Sequence, residues 1–235
     1  MGGDVLKLRG AAQFRQRIAL ATLAGRAIRI DDIRYDDEAP GLRPEEANFL
    51  RLIEKLTNGC AIEINETGTS LLYRPGVLAF SHAGEIKHDC GTARAVTYFL
   101  EGIVPLAPFG KRPLHVTLYG ITNDELDQCV DGFRNVTVRL LKHFGLEEGL
   151  ELKVLKRGAP PRGGGEVVFT CPCVRELKPI NLTEEGFVKR IRGVAYATRV
   201  SPQIANRIVD SARGVLNKFI PDVYIYSDHF RGPDS

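Results

Sequence analysis

One order of elements occurs twice in this chain, about eighty residues apart, and a repeat of that period constrains the fold more than any single motif. The first copy opens with a strand over Val5 to Arg9. A helix follows, its Phe14, Ile18 and Ala21 at three- and four-residue spacing, and Gly25 closes it. A strand around Ala27 to Ile33 leads past Pro40-Gly41 into a second helix. That helix has Pro44 in its first turn, Glu45 and Glu46 near its positive end, and Phe49, Leu50, Ile53 and Leu56 on one face. Asn58-Gly59 stops it, and strands Ala61 to Asn65 and Thr69 to Tyr73 complete the unit as a hairpin.

The second copy begins with a strand near Glu85 to His88 and a helix bearing Val96, Phe99, Leu100 and Ile103, ended by Pro105. Strand Leu114 to Tyr119 alternates Leu114, Val116 and Leu118 with His115 and Thr117, the period of a half-buried strand. A helix with Phe133, Val136, Leu140, Leu141 and Phe144 ends at Gly145, and strands Leu150 to Leu155 and Glu166 to Thr170 follow. Two βαβαββ units of this kind predict an α/β fold, an α+β sandwich in which each unit lays its helices on one face of a four-stranded sheet. Residues 1–80 form the first unit, and residues 81–181 the second with the start of a third.

After Pro179 the pattern changes. A strand-like stretch through Val188, Ile191, Val194 and Tyr196 precedes Ser201-Pro202, a good helix start. The helix runs to about Phe219, with Ile204, Ile208, Val209, Ala212, Val215, Leu216 and Phe219 within one arc, and strand Asp222 to Tyr226 follows. No helix or partner strand is legible after it, so an incomplete architecture is expected.

Composition narrows the function classes. At 235 residues, 43% hydrophobic and 26% charged, the chain lies in the globular range. The most apolar stretch, Ala95 to Phe109, is broken by Glu101 and two prolines, short of the roughly 18 apolar residues of a span. No secretory h-region opens the chain, so a soluble intracellular protein without a membrane role is expected. Five cysteines without a CxxC pair read as reduced thiols. The net charge of +3 says little, but its distribution says more. Asp31 to Glu54 holds eight acids against three arginines, and Phe187 to Phe219 holds seven basic residues against Asp210 alone. Such an asymmetry can give one face to an acidic partner such as RNA, although a solvated helix surface accounts for any single arginine equally well.

Chemistry-bearing motifs are sparse. Gly158 to Gly165, GAPPRGGG, begins with Walker-like spacing, but Gly164-Gly165 stand where Lys-Ser/Thr is needed, and the loop joins two strands rather than opening a helix. It reads as a hairpin connection in which Arg157 and Arg162 meet RNA phosphate. His82, His88, Asp89 and Cys90 form one cluster with ligating chemistry, at a spacing that fits no zinc motif. No GxSxG elbow is present. The residues therefore nominate no catalytic group, no metal and no cofactor.

Three long segments carry a resemblance: PGLRPEEANFLRLIEKLTNG at Pro40 to Gly59, RGAPPRGGGEVVF at Arg157 to Phe169, and RIRGVAYATRVSPQIANRIVDSARGVLNKFIPDVYIYSDH at Arg190 to His229. The chain resembles the RNA 3′-terminal phosphate cyclase family, in its cyclase-like nucleolar branch, along nearly its whole length. The resemblance implies repeated βαβαββ units with a smaller α/β domain inserted in the third, here the partial insert of residues 182–235, and a C-terminally truncated chain. True cyclases adenylylate a C-terminal histidine and convert an RNA 3′-phosphate to a 2′,3′-cyclic phosphate. Where they carry a GEGGGQ-type turn, this chain reads KLRGAA from Lys7 to Ala12, and their nucleophilic histidine would lie beyond Ser235. No enzyme activity is expected.

What the cyclase-like branch implies is a role in nucleolar small-subunit pre-rRNA processing within a precursor particle, in complex with a ribosome-assembly GTPase. The alternative is an enzyme on RNA, a residual cyclase or a pre-rRNA endonuclease. The residues nominated for RNA are Arg157, Arg162, Lys189, Arg190, Arg192, Arg207, Arg213 and Lys218.

Overall fold

The computed structural model describes residues 5–80, 85–198 and 200–229. The first unit runs β1 (Leu6–Arg9), α1 (Phe14–Ala24), β2 (Ile28–Asp31), α2 (Pro44–Leu56), β3 (Thr57–Asn58), β4 (Ala61–Ile64), β5 (Leu71–Arg74) and β6 (Val77–Leu78). Its four-stranded sheet has the order β1-β2-β5-β4, with β1 parallel to β2 and the other pairs antiparallel. The two-residue strands β3 and β6 pair with each other outside that sheet, a bridge too short to leave a periodic signal.

The second unit runs β7 (Ile86–Asp89), α3 (Val96–Ile103), β8 (Leu114–Gly120), α4 (Val130–Gly132), a π turn (Phe133–Thr137), α5 (Val138–His143), β9 (Glu151–Lys156) and β10 (Gly165–Cys171). The sheet order β7-β8-β10-β9 repeats the first sheet position for position, again with the first pair parallel. The repeat read from the sequence is thus present in the strand pairing itself.

Helices α1 and α2 bury one side each. α2 opens with Pro44 and a capping arrangement in which the Arg43 N–H donates to Glu46 at 2.8 Å, and its face buries Phe49, Leu50, Leu52, Ile53 and Leu56. Each such side chain contributes about 1.5–3 kcal/mol by burial. α3 is different: seven of its eight residues are buried, so it is covered on every side. Gly102 makes this possible, because a Cβ there would meet the Phe49 ring at 2.4 Å. Both units therefore feed one continuous apolar core.

The π turn changes a prediction. Val136 and Leu140, placed on the buried face by helical spacing, are exposed, and Val138 is buried instead. The Val138 N–H bonds the Phe133 carbonyl, five residues back, so one extra residue in the turn rotates everything after it.

Beyond Pro179 no regular structure is described until β11 (Ile191–Ala197), α6 (Pro202–Leu216) and β12 (Val223–His229). β11 and β12 form a parallel two-stranded sheet with α6 as the crossover. The broad apolar arc expected on α6 is mostly in water. Ala205 alone of its residues is fully buried, while Ile204, Ile208 and Val215 are exposed, because two strands are too narrow to cover the arc. No described helix is long and apolar enough to cross a membrane.

Candidate functional site

Arg157 follows directly on β9, and the structure removes it from the RNA-facing set. Its side chain is 3% exposed, its guanidinium donates to Asp131 at 2.6 and 3.2 Å and to Asp228 at 2.8 Å, and it stacks 4.4 Å above the Tyr196 ring. Burial alone would lower its pKa, but the hydrogen bonds to the two carboxylates outweigh that and raise it. Every face of the group is taken, so none is left for a phosphate. Its partners lie far away in sequence, which is why a loop reading of KRGAPPRGGG placed it in solvent.

Arg162 is exposed on the glycine loop, beside a cavity of about 350 Å³ that Thr92, Lys156 and Gly163 also line. The loop is held by its neighbours. Gly158 exchanges hydrogen bonds with Thr122, and a Cβ at Gly158 would lie 2.5 Å from the Gly120 carbonyl oxygen and 2.3 Å from the Gly165 nitrogen. The glycines here serve backbone packing between two strands.

Arg190 and Arg192 lie on a much larger feature, a cleft of about 1280 Å³ between the second unit and the β11–β12 sheet. The wall facing them comes from the π turn and α5 and carries Arg134, Arg139 and Lys142; β9 forms the floor with Lys153 and Glu151. Strand alternation turns Arg192, Val194, Tyr224 and Tyr226 to this side, since the opposite face of β11–β12 packs on α6. Arg134 is paired with Asp131, Arg192 with Asp222 and Lys153 with Glu151. Arg139, Lys142 and Arg190 have no ion-pair partner among the described residues. The helix-wall cations were missed because they belong to a different segment from the basic stretch; their signal, Arg134, Arg139 and Lys142 on a helix with little acid, was present but weak.

The remaining nominated residues do not join this group. Lys189 is exposed next to Arg190. Arg207 and Lys218 point away from the sheet on the outer line of the α6 segment, and Arg213 sits in its last turn, where a cation favours the negative end of the helix. The basic stretch is thus divided between the two sides of the β11–β12 sheet.

The cluster with ligating chemistry separates too. His82 lies outside the described residues. His88 is 3% exposed with neither ring nitrogen hydrogen-bonded, and burial, helped by Lys55, lowers its pKa to about 4. Cys90 is buried, its thiol pushed well up by burial. Among the described residues no three His, Cys, Asp or Glu side chains are grouped to hold a metal. The turn after β1 carries no carboxylate between Lys7 and Ala12, and the Arg17 guanidinium donates to the carbonyls of Arg9 and Gly10 at 3.0 and 2.8 Å.

Two four-stranded sheets of identical order, followed by a parallel strand–helix–strand across a basic cleft, define a repeat-built α/β protein. The family model of RNA 3′-terminal phosphate cyclase matches residues 6–225, and the chain belongs to that family. It is 54% identical over 231 residues to the RNA 3′-terminal phosphate cyclase-like protein of Homo sapiens, covering 98% of this chain and 61% of the human one. The probable RNA 3′-terminal phosphate cyclase-like protein of Dictyostelium discoideum is 53% identical over 98% of this chain and 62% of its own length. The rRNA processing protein rcl1 of Schizosaccharomyces pombe is 50% identical over 99% of this chain and 64% of its own. The chain thus spans a little over three-fifths of the length of these relatives.

Proposed function

We propose that this chain is a non-catalytic factor in nucleolar pre-rRNA processing toward the small ribosomal subunit, and that it works by binding pre-rRNA and a ribosome-assembly GTPase. The observation that carries the reading is the 50% identity, along 99% of the chain, to a relative whose name is rRNA processing protein. The turn that would hold the cyclase acid has none, and its backbone carbonyls are occupied by Arg17. The basic cleft supports an RNA-facing role, as do Arg162, Lys189, Arg207, Arg213 and Lys218, all exposed cations suited to phosphate. No bound cofactor enters this role.

Two measurements test it together. Incubation with ATP and a 3′-phosphorylated RNA should yield no 2′,3′-cyclic end above a heat-denatured control. Depletion in cells should accumulate unprocessed small-subunit precursor, restored by re-expression of the relative-length protein. ATP-dependent cyclisation, or cleavage of pre-rRNA by the purified protein alone, would favour the enzymatic alternative.

A further inference from the structure

We propose that the cleft between α5 and the β11–β12 sheet is a site for single-stranded RNA, with Tyr224 and Tyr226 as stacking platforms for bases and Arg139, Lys142 and Arg190 as the phosphate contacts. This rests on the RNA-binding part of the proposed function and says where and in what form the RNA is held. Of the nominated basic stretch, Arg190 and Arg192 lie on this cleft, and Arg207, Arg213 and Lys218 belong to the α6 segment.

The two walls differ in chemistry. The helix wall and floor carry Arg134, Arg139, Lys142 and Lys153 against Glu151, while Arg190 and Arg192 add charge from the opposite side; Arg139, Lys142 and Arg190, without an ion-pair partner among the described residues, are free to meet a polyanion. The sheet wall adds aromatic rings. Tyr224 is 61% exposed and Tyr226 44% exposed, on the same face of one strand. Residues two apart on a strand lie about 6.7 Å from each other, a spacing that places each ring under a separate base of an extended strand. Both rings keep a large part of their surface in water in the described chain, and the sheet's other face holds α6. A duplex hides its base faces within its own stack, so the tyrosine wall discriminates for single strands.

The two walls are joined by a buried cation. The buried Arg157 ties β12 to α4 through Asp228 and Asp131, and so holds the two walls at their separation. The π turn, which rotates α5, also supplies Arg134 and Asn135 to the rim. π turns inside helices concentrate at functional sites.

The test is binding of a labelled 12-nucleotide oligouridine, followed by fluorescence anisotropy over a salt series, beside a 12-base-pair RNA duplex. Tyr224→Ala with Tyr226→Ala should weaken single-strand binding on the order of 10-fold per ring while leaving the salt slope and the duplex affinity unchanged. Tyr224→Phe with Tyr226→Phe should bind as the parent does, because the ring is retained. Arg139→Glu with Lys142→Glu should reduce the magnitude of the salt slope by about 1.4. A readout on the unsubstituted protein accompanies these: with seven tyrosines and no tryptophan, its tyrosine emission should be quenched on adding oligouridine and not on adding duplex. Equal affinity of the alanine pair and the parent, with no quenching, would overturn the proposal. If those variants bind normally while Arg207→Glu, Arg213→Glu and Lys218→Glu together abolish binding, the RNA reading stands and the cleft assignment falls. If the parent binds no RNA at any salt, both fall. Cleft variants that keep RNA and lose a protein partner would make this a protein-docking site.

Discussion

The Nε of Arg157 donates to an oxygen of Asp228 at 2.8 Å, joining residues 71 apart in sequence and fastening the last described strand to the end of β9. The same guanidinium reaches Asp131 at 2.6 Å, so its removal leaves Asp228 and a tyrosine face without their cation and Asp131 with Arg134 alone. Asp228 is partly exposed, which moderates the cost. Arg157→Met is expected to lower the unfolding free energy by about 2–3 kcal/mol, read by urea denaturation. Amides of β11 and β12 should exchange faster than those of the first sheet. A variant as stable as the parent would show that the three groups contribute no net attachment.

His88 makes stability depend on acidity. Its folded pKa of about 4 lies below the ordinary 6.5, because burial among apolar neighbours disfavours the imidazolium, and Lys55 adds to the effect. Between pH 6.5 and 4 the unfolded chain takes up a proton that the folded chain refuses, so stability falls as pH is lowered through that window and is unaffected by this group above it. The full contribution is on the order of 3 kcal/mol. His88→Leu should remove that component of the pH dependence. Unfolding curves at pH 7 and pH 5 for the two proteins check it; an unchanged difference between the two pH values would assign the dependence to other groups.

Gly158 reports on what the glycine loop is for. The Gly158→Ala methyl would lie 2.3 Å from the Gly165 nitrogen and 2.5 Å from the Gly120 oxygen, all backbone atoms that cannot step aside without opening the β8–β10 ladder. A loss of about 2 kcal/mol or more is expected in thermal or chemical unfolding. A loop whose glycines cradled a nucleotide would instead lose ligand affinity with stability little changed.

The repeat was readable because its signals are local. Leu114 to Tyr119 alternates, Phe49 to Leu56 follows a helical face, and Gly25 caps the first helix within the same stretch of chain, whereas the second helix ends at Leu56, short of the expected Asn58-Gly59 stop, because Thr57 turns extended into β3. The strand order itself is read from the pairing in the structure. What escaped was non-local. Nothing near Arg157 in sequence announces Asp131 or Asp228, and the cationic wall at Arg139 and Lys142 meets Arg190 only after the chain has passed through two further strands. The exposure of Val136 and Leu140 depends on one extra residue in a helical turn, which a fixed period of 3.6 residues misplaces. On α6 the arc from Ile204 to Phe219 was legible as apolar, but apolarity does not reveal how much sheet is available to cover it.

RNA binding in its native setting is read by ultraviolet crosslinking of the tagged protein to RNA in growing cells, followed by sequencing of the bound fragments. Small-subunit precursor rRNA should be enriched, concentrated in single-stranded regions, with a marked loss of those fragments when Arg139, Lys142 and Arg190 are changed to Glu. Recovery of no precursor rRNA above an untagged control would contradict the proposed RNA binding.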